Sequence, residues 1–131
     1  MTAPDVRSDP SFLADVAAAW NAHDVDLLMT FMADECEFRT GAGPEACGAR
    51  AVGRDAVRAA FAKVFERIRD AHWGGDRHLV AGDRGLSEWT LTGVLGDGSR
   101  MEVDGVDVFT FRDGRIALKD SYLKTRVTPK P

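Results

Sequence analysis

Apolar positions follow two periods along this chain. Up to about Asp70 the spacing is helical, and beyond it the period is two. Leu13, Val16, Ala17 and Trp20 recur at i, i+3, i+4 and i+7, one face of a helix. Ser8 or Asp9 can cap that helix, with Pro10 at a position that needs no backbone donor. His23-Asp24 interrupts the pattern, and Asp24 can cap a second, short helix whose Leu27 or Leu28, Phe31 and Met32 face inward. Residues 34–40 read as a short strand. Residues 41–53, with four glycines and a proline, read as a loop whose composition leaves open whether it acts as a lid. From Asp55 onward, Val57, Ala60, Phe61, Val64, Phe65 and Ile68 form the stripe of a third helix, and Arg54, Arg58, Arg67 and Arg69 read as its solvated face balanced by acids.

The strands come next. His72 to Ala81 alternates, Gly82-Asp83-Arg84-Gly85 turns, and Leu86 to Leu95 alternates again with Trp89 and Leu91 on one face. Gly96-Asp97-Gly98 turns, Met101 to Phe111 alternates strongly, Arg112-Asp113-Gly114 signals a hairpin, and Arg115 to Arg126 closes the series. The ends, through about residue 8 and after Val127, are expected to be frayed. Helices followed by an antiparallel meander predict one α+β domain over residues 1–131, with an ordered core at about 10–126. The expected architecture is a cone-shaped barrel made by a curved, mostly antiparallel sheet. Three helices from the N-terminal half pack on its concave face, and the mouth of the cone is a natural ligand pocket.

Composition narrows the function without naming it. Hydrophobic residues make up 44% and charged residues 29% of the 131, enough for a packed core. A net charge of -4 argues against a nucleic-acid groove, which needs clustered cations. No apolar run approaches the ~18 residues that span a bilayer, and Met1 to Asp5 lacks a signal-peptide core. Cys36 and Cys47 form no CxxC, so a reducing cytoplasm is the expected compartment. His23, His72 and His78 have no metal-ligand spacing, and neither a metal nor an organic cofactor is expected.

The element order, with Trp20-Asn21-Ala22-His23-Asp24, Met32 to Cys36, Gly53 to Val57, Gly82 to Gly85, Ser87-Glu88-Trp89 and Asp107 to Ile116, resembles the SnoaL-like, ketosteroid-isomerase-like superfamily of the nuclear transport factor 2-like fold. The resemblance covers about residues 10 to 126. It implies the cone fold, and a superfamily that includes isomerases, polyketide cyclases, hydrolases, dehydratases and non-enzymes. Asp107 falls where the isomerase keeps its oxyanion-donating acid. The isomerase's general base aligns with Thr40 and its tyrosine with Val16, so the resemblance does not imply a true ketosteroid isomerase. The catalytic carboxylate of SnoaL-like cyclases matches Ser121, next to Asp120. The Arg-and-two-Asp pattern of limonene epoxide hydrolase-like members is not reproduced, because Gly105 stands two before Asp107.

Pairing geometry shows which polar groups converge. A first hairpin turning on Asp83-Arg84 would set His78 opposite Trp89 and point it into the cone beside Val80 and Ser87. The last hairpin has two registers. A two-residue Asp113-Gly114 turn sets Asp107 opposite Asp120. A three-residue loop sets Asp107 opposite Lys119 and Gly105 opposite Ser121, and the family alignment favours this one. It turns Asp107, Lys119 and Ser121 inward and Asp120 and Tyr122 outward. Asp107 is then a poised acid/base or the counter-ion of Lys119, and Lys119 an electrostatic stabiliser or a nucleophile toward carbonyls.

The expected function is cofactor-independent acid/base proton transfer on a small hydrophobic carbonyl or polycyclic compound: isomerisation, cyclisation or dehydration. Asp107, His78 and Lys119 are the candidate catalytic groups. Trp20, Thr40, Phe61, Trp89, Ser121 and Leu123 are the candidate substrate-binding residues. The alternative is a non-catalytic small-ligand-binding or dimeric interaction module on the same cone. If Asp107 is sealed by Lys119 with no solvent path or pocket, the enzyme reading fails. Val94, Val106, Val108, Leu118 and Tyr122 would make an apolar outer face, which predicts a homodimer, with neither nucleic acid nor membrane as partner.

Overall fold

The computed structural model describes residues 10–127, so Ser8, Asp9 and the expected frayed ends lie outside the described residues. Helix α1 spans Ser11–Asn21 and begins behind Pro10, whose fixed φ of -66° leads into the first turn. Helix α2 spans Val25–Thr30, with the Asp24 carboxylate accepting from the Leu27 N–H at 3.0 Å. Strand β1 (Met32–Arg39) follows directly, then β2 (Arg50–Val52), helix α3 (Arg54–Arg67), and the long strands β3 (Arg69–Ala81), β4 (Arg84–Val94), β5 (Arg100–Arg112) and β6 (Arg115–Leu123).

The strands form one six-stranded sheet in the order β2-β1-β6-β5-β4-β3. Only β1 and β6 are parallel, and the sheet curves around the helices without closing, leaving β2 and β3 as edges. The core lies between the concave face and the helices. Trp20 of α1 meets Phe61 of α3 at 4.8 Å and Trp73 of β3 at 5.2 Å between ring centres, and Phe61 meets Phe38 of β1 at 5.2 Å.

Three features depart from the sequence reading. The stretch 41–53 contains the short strand β2. Glu37 holds it to β1 through Arg50 at 3.0 Å and also meets Arg39 at 2.5 Å, and the Arg50 hydrogen bond is the main reason the Glu37 carboxyl is held below its ordinary range. The first hairpin turns on Gly82-Asp83, not Asp83-Arg84, because Gly82 takes φ +61° at the first turn position. His78 therefore opposes Ser87 and not Trp89, a shift of two that keeps it on the inner face. In the last hairpin Asp113 and Gly114 both take positive φ, a two-residue turn with Arg112 opposite Arg115. An irregularity between Thr110 and Phe111 then slips the ladder by one. Asp107 thus faces Ser121, neither Lys119 nor Asp120, and Gly105 faces Leu123. The inward set of Asp107, Lys119 and Ser121 is the one expected.

A further departure concerns Arg54, read from the sequence as part of a solvated arginine face. Its guanidinium instead donates to the Met32 carbonyl at 3.0 Å and the Met29 carbonyl at 3.1 Å, tying the start of α3 to the α2–β1 junction.

Gly105 has a packing reason. A Cβ there would stand 2.6 Å from the Tyr122 carbonyl oxygen and closer still to the Trp89 indole, which lies across this point of β5. Gly105→Ala is expected to cost about 1–3 kcal/mol by overpacking. Urea unfolding of the purified variant measures it.

Candidate functional site

The alternation of β5 and β6 turns three polar side chains into an otherwise aromatic interior. Asp107 is 5% exposed and Lys119 6%. The Lys119 ammonium donates to Asp107 Oδ1 at 2.9 Å and to Ser121 Oγ at 3.0 Å, and the Ser121 hydroxyl donates to the same Oδ1 at 2.5 Å. Trp89 Nε1 donates to Asp107 Oδ2 at 3.0 Å. The ammonium also lies 4.7 Å from the ring centres of both Trp20 and Phe38. No buried side-chain nitrogen or oxygen among the described residues is left without a partner.

This arrangement limits what Asp107 can do. Its two oxygens together accept from an ammonium, a hydroxyl and an indole. Oδ1 has both of its lone pairs engaged, by the ammonium and the hydroxyl, while Oδ2 has the indole as its donor. Beside it lies a cavity of about 20 Å³, bordered by Leu13, Val16, Trp20, Trp73 and Ser87, which is room for about one water.

His78 does not reach Asp107. Its Nδ1 lies 2.7 Å from Ser87 Oγ and its Nε2 2.7 Å from Asp76 Oδ2, so Asp76, His78 and Ser87 form a hydrogen-bonded chain whose two ends, Asp76 and Ser87, both border the small cavity. Asp76 is absent from the residues singled out by sequence, although an acid two before a histidine on one strand shares its face. Ser87, Trp89 and Asp107 converge on the cavity because Trp89 pairs with Gly105 and Ser87 with Asp107.

Of the expected substrate-binding residues, Trp20, Trp89 and Ser121 touch the Asp107–Lys119 pair, and Phe61 backs Trp20 and Phe38. Thr40 and Leu123 lie elsewhere. Thr40 Oγ1 donates to the Ala42 carbonyl at 2.8 Å and accepts from the Ala49 N–H at 3.0 Å, closing the base of the 41–49 loop. Both residues line a second cavity of about 660 Å³ at the wide end of the cone, whose apolar part is Leu95, Met101, Val103 and Leu123. Met101 and Val103 share the inner face of β5 with Asp107, so the wide cavity continues the concave surface past Gly105.

No group of three or more histidine, cysteine, aspartate or glutamate side chains converges to hold a metal among the described residues. None of their helices is long and apolar enough to cross a membrane. Burial raises the pKa of the Cys36 thiol on β1.

Residues 13–119 match the model of the SnoaL-like domain family. The chain belongs to that family. Solved structures agree on the fold. A candidate polyketide cyclase of Xanthomonas campestris superposes with a TM-score of 0.73 at 22% identity, covering 84% of this chain and 85% of its own. A candidate polyketide cyclase of Pseudomonas putida superposes with a TM-score of 0.78 at 17% identity over 89% and 92%. A nuclear transport factor 2-like protein of unknown function from Mesorhizobium loti is 27% identical, with a TM-score of 0.73 over 93% and 97%. No curated protein matches the chain.

Within this SnoaL-like cone, Lys119 and Asp107 hold each other in place. Lys119→Met leaves a buried carboxylate without its cation and is expected to cost about 3–5 kcal/mol in urea unfolding. The double variant Asp107→Leu/Lys119→Met removes both charges and is expected to recover most of that loss.

Proposed function

We propose that this SnoaL-like protein binds a small, largely apolar organic compound at the wide mouth of its cone. The difference in room carries this reading. About 660 Å³ opens over Leu95, Met101, Val103 and Leu123, within the ~300–1,000 Å³ of ordinary ligand sites, against about 20 Å³ beside Asp107. The ion pair of Asp107 with Lys119, beside a cavity with room for about one water, favours the binding module over a mechanism that gives Asp107 the proton-transfer step. Asp107, Lys119 and Ser121 then form the polar plug beneath the ligand.

A second reading keeps the enzyme and moves its chemistry. The Asp76–His78–Ser87 chain sets a histidine between two polar groups that both border the small cavity. His78 would exchange the proton, Ser87 would pass it on, and Asp107 would serve as a fixed charge. The relatives named as candidate polyketide cyclases are consistent with a carbonyl or polycyclic compound as its substrate.

A thermal-shift screen of steroid-like, polyketide-like, terpenoid and aromatic-ketone compounds separates the two. In the binding reading, a compound stabilises wild type, loses its effect in Val103→Trp, which fills the mouth, and keeps it in Asp107→Asn. Incubation with wild type leaves that compound unchanged. In the enzyme reading it is consumed, and His78→Gln lowers the rate at least ~100-fold. A screen in which no compound stabilises the folded protein overturns the binding reading.

We also propose that the outer sheet face joins two copies. Val106, Val108 and Leu118 lie there with Tyr122, 55% exposed. The face extends to Leu86 and to Leu79, 58% exposed, whose register continues the row from Val108 across β4 to β3. Sedimentation is expected to give a dimer for wild type and a monomer for Leu79→Glu/Tyr122→Glu; a monomeric wild type would overturn the pairing.

A further inference from the structure

The mouth of the cone is cationic on a chain whose net charge is -4. Arg67 at the end of α3, Arg100 at the start of β5, and Lys124 and Arg126 just past β6 all border it, with Glu102 as the lone acid. Glu102 is already engaged, since Arg126 lies 4.0 Å from its carboxylate and donates to its carbonyl at 3.4 Å. Arg67, Arg100 and Lys124 meet no carboxylate among the described residues. Arg39, Arg50, Arg58 and Arg112 each do. Among the described residues, three positive charges therefore rim an apolar floor without an ion-paired carboxylate.

We propose that the ligand of this mouth is a monocarboxylate with an apolar body. The inference rests on the binding reading above and adds the charge of the ligand to it. The body lies over Met101, Val103 and Leu123, and the carboxylate meets the guanidinium groups of Arg67 and Arg100, whose planar forks suit two carboxylate oxygens. Lys124 adds a point charge on the same rim. The site's concave shape selects a small molecule, since an extended polyanion would need a cationic track along a surface and not a ring around one cavity.

Calorimetry with octanoate and octan-1-ol, which share an apolar chain and differ in the head group, tests this on the whole chain. The probes are used with wild type, Arg67→Gln/Arg100→Gln and Val103→Trp; both arginines are exposed, so the double variant keeps the fold. Octanoate is expected to bind wild type at least ~10-fold more tightly than octanol, the direction charge-assisted hydrogen bonds give. That preference is expected to vanish in the arginine variant and to shrink as salt rises from low to physiological strength. Val103→Trp is expected to weaken both probes. Equal affinity for the two in wild type, with both lost in Val103→Trp, would overturn the carboxylate assignment and leave the apolar mouth standing. Octanoate that binds wild type and the arginine variant alike would also overturn it. Binding of neither probe would remove the assignment together with the apolar mouth it rests on.

Discussion

The buried pair of Lys119 and Asp107 constrains the rest of the interior. Taking an ammonium and a carboxylate out of water costs several kcal/mol for each, and their attraction repays this only when the remaining hydrogen-bonding capacity is met. Here Ser121 and Trp89 meet it on the acid, and the faces of Trp20 and Phe38 flank the ammonium. Each of these partners comes from a different element: β4, β6, α1 and β1 all converge on two charges contributed by β5 and β6. The pair therefore fixes how the helices lie against the sheet and which face of β6 turns inward, and it does so by filling the space where a ligand would otherwise lie.

Filling that space requires the indole of Trp89 to reach Asp107, and the backbone makes room for it at Gly105. The close approach explains why glycine stands two before the acid: any side chain there would lift the ring from β5 and break its bond to Oδ2. One irregularity in β6 completes the arrangement. Without the slip after Phe111, the two-residue turn at Asp113-Gly114 would set Asp107 opposite Asp120 and bring Asp120 and Tyr122 to the inner face in place of Lys119 and Ser121. A single extra residue decides between two buried carboxylates facing each other and one carboxylate facing its cation.

Much of this was legible in the residues. Alternation fixes which side chains share a face, so Asp107, Lys119, Ser121, His78 and Trp89 were placed on the concave side correctly even though the partners assigned across both hairpins were each off by two. A shift of two leaves every face unchanged, which is why alternation cannot detect it. Positive φ at Gly82 and the irregularity in β6 depend on backbone conformation, and hydrophobic pattern carries neither. Strand β2 escaped for another reason: three residues between Ala49 and Gly53, tied to β1 by the Arg50–Glu37 pair, have too short a period to read. Arg54 escaped because a guanidinium bonded to carbonyls has the same sequence signature as one in water.

The same residues divide the concave face into two unequal spaces. Lys119, two residues before Ser121 on the facing strand, meets the Asp107 carboxylate at 2.9 Å. Its aromatic neighbours then close over the pair and leave room for about one water. The concave surface beyond Gly105 is freed from that constraint, because Met101, Val103 and Leu123 carry no charge to be satisfied and need only be covered. What covers them must also face Arg67, Arg100 and Lys124. Among the described residues, the charges that close the interior and those at the mouth without an ion-paired carboxylate thus act on different parts of the same concave face.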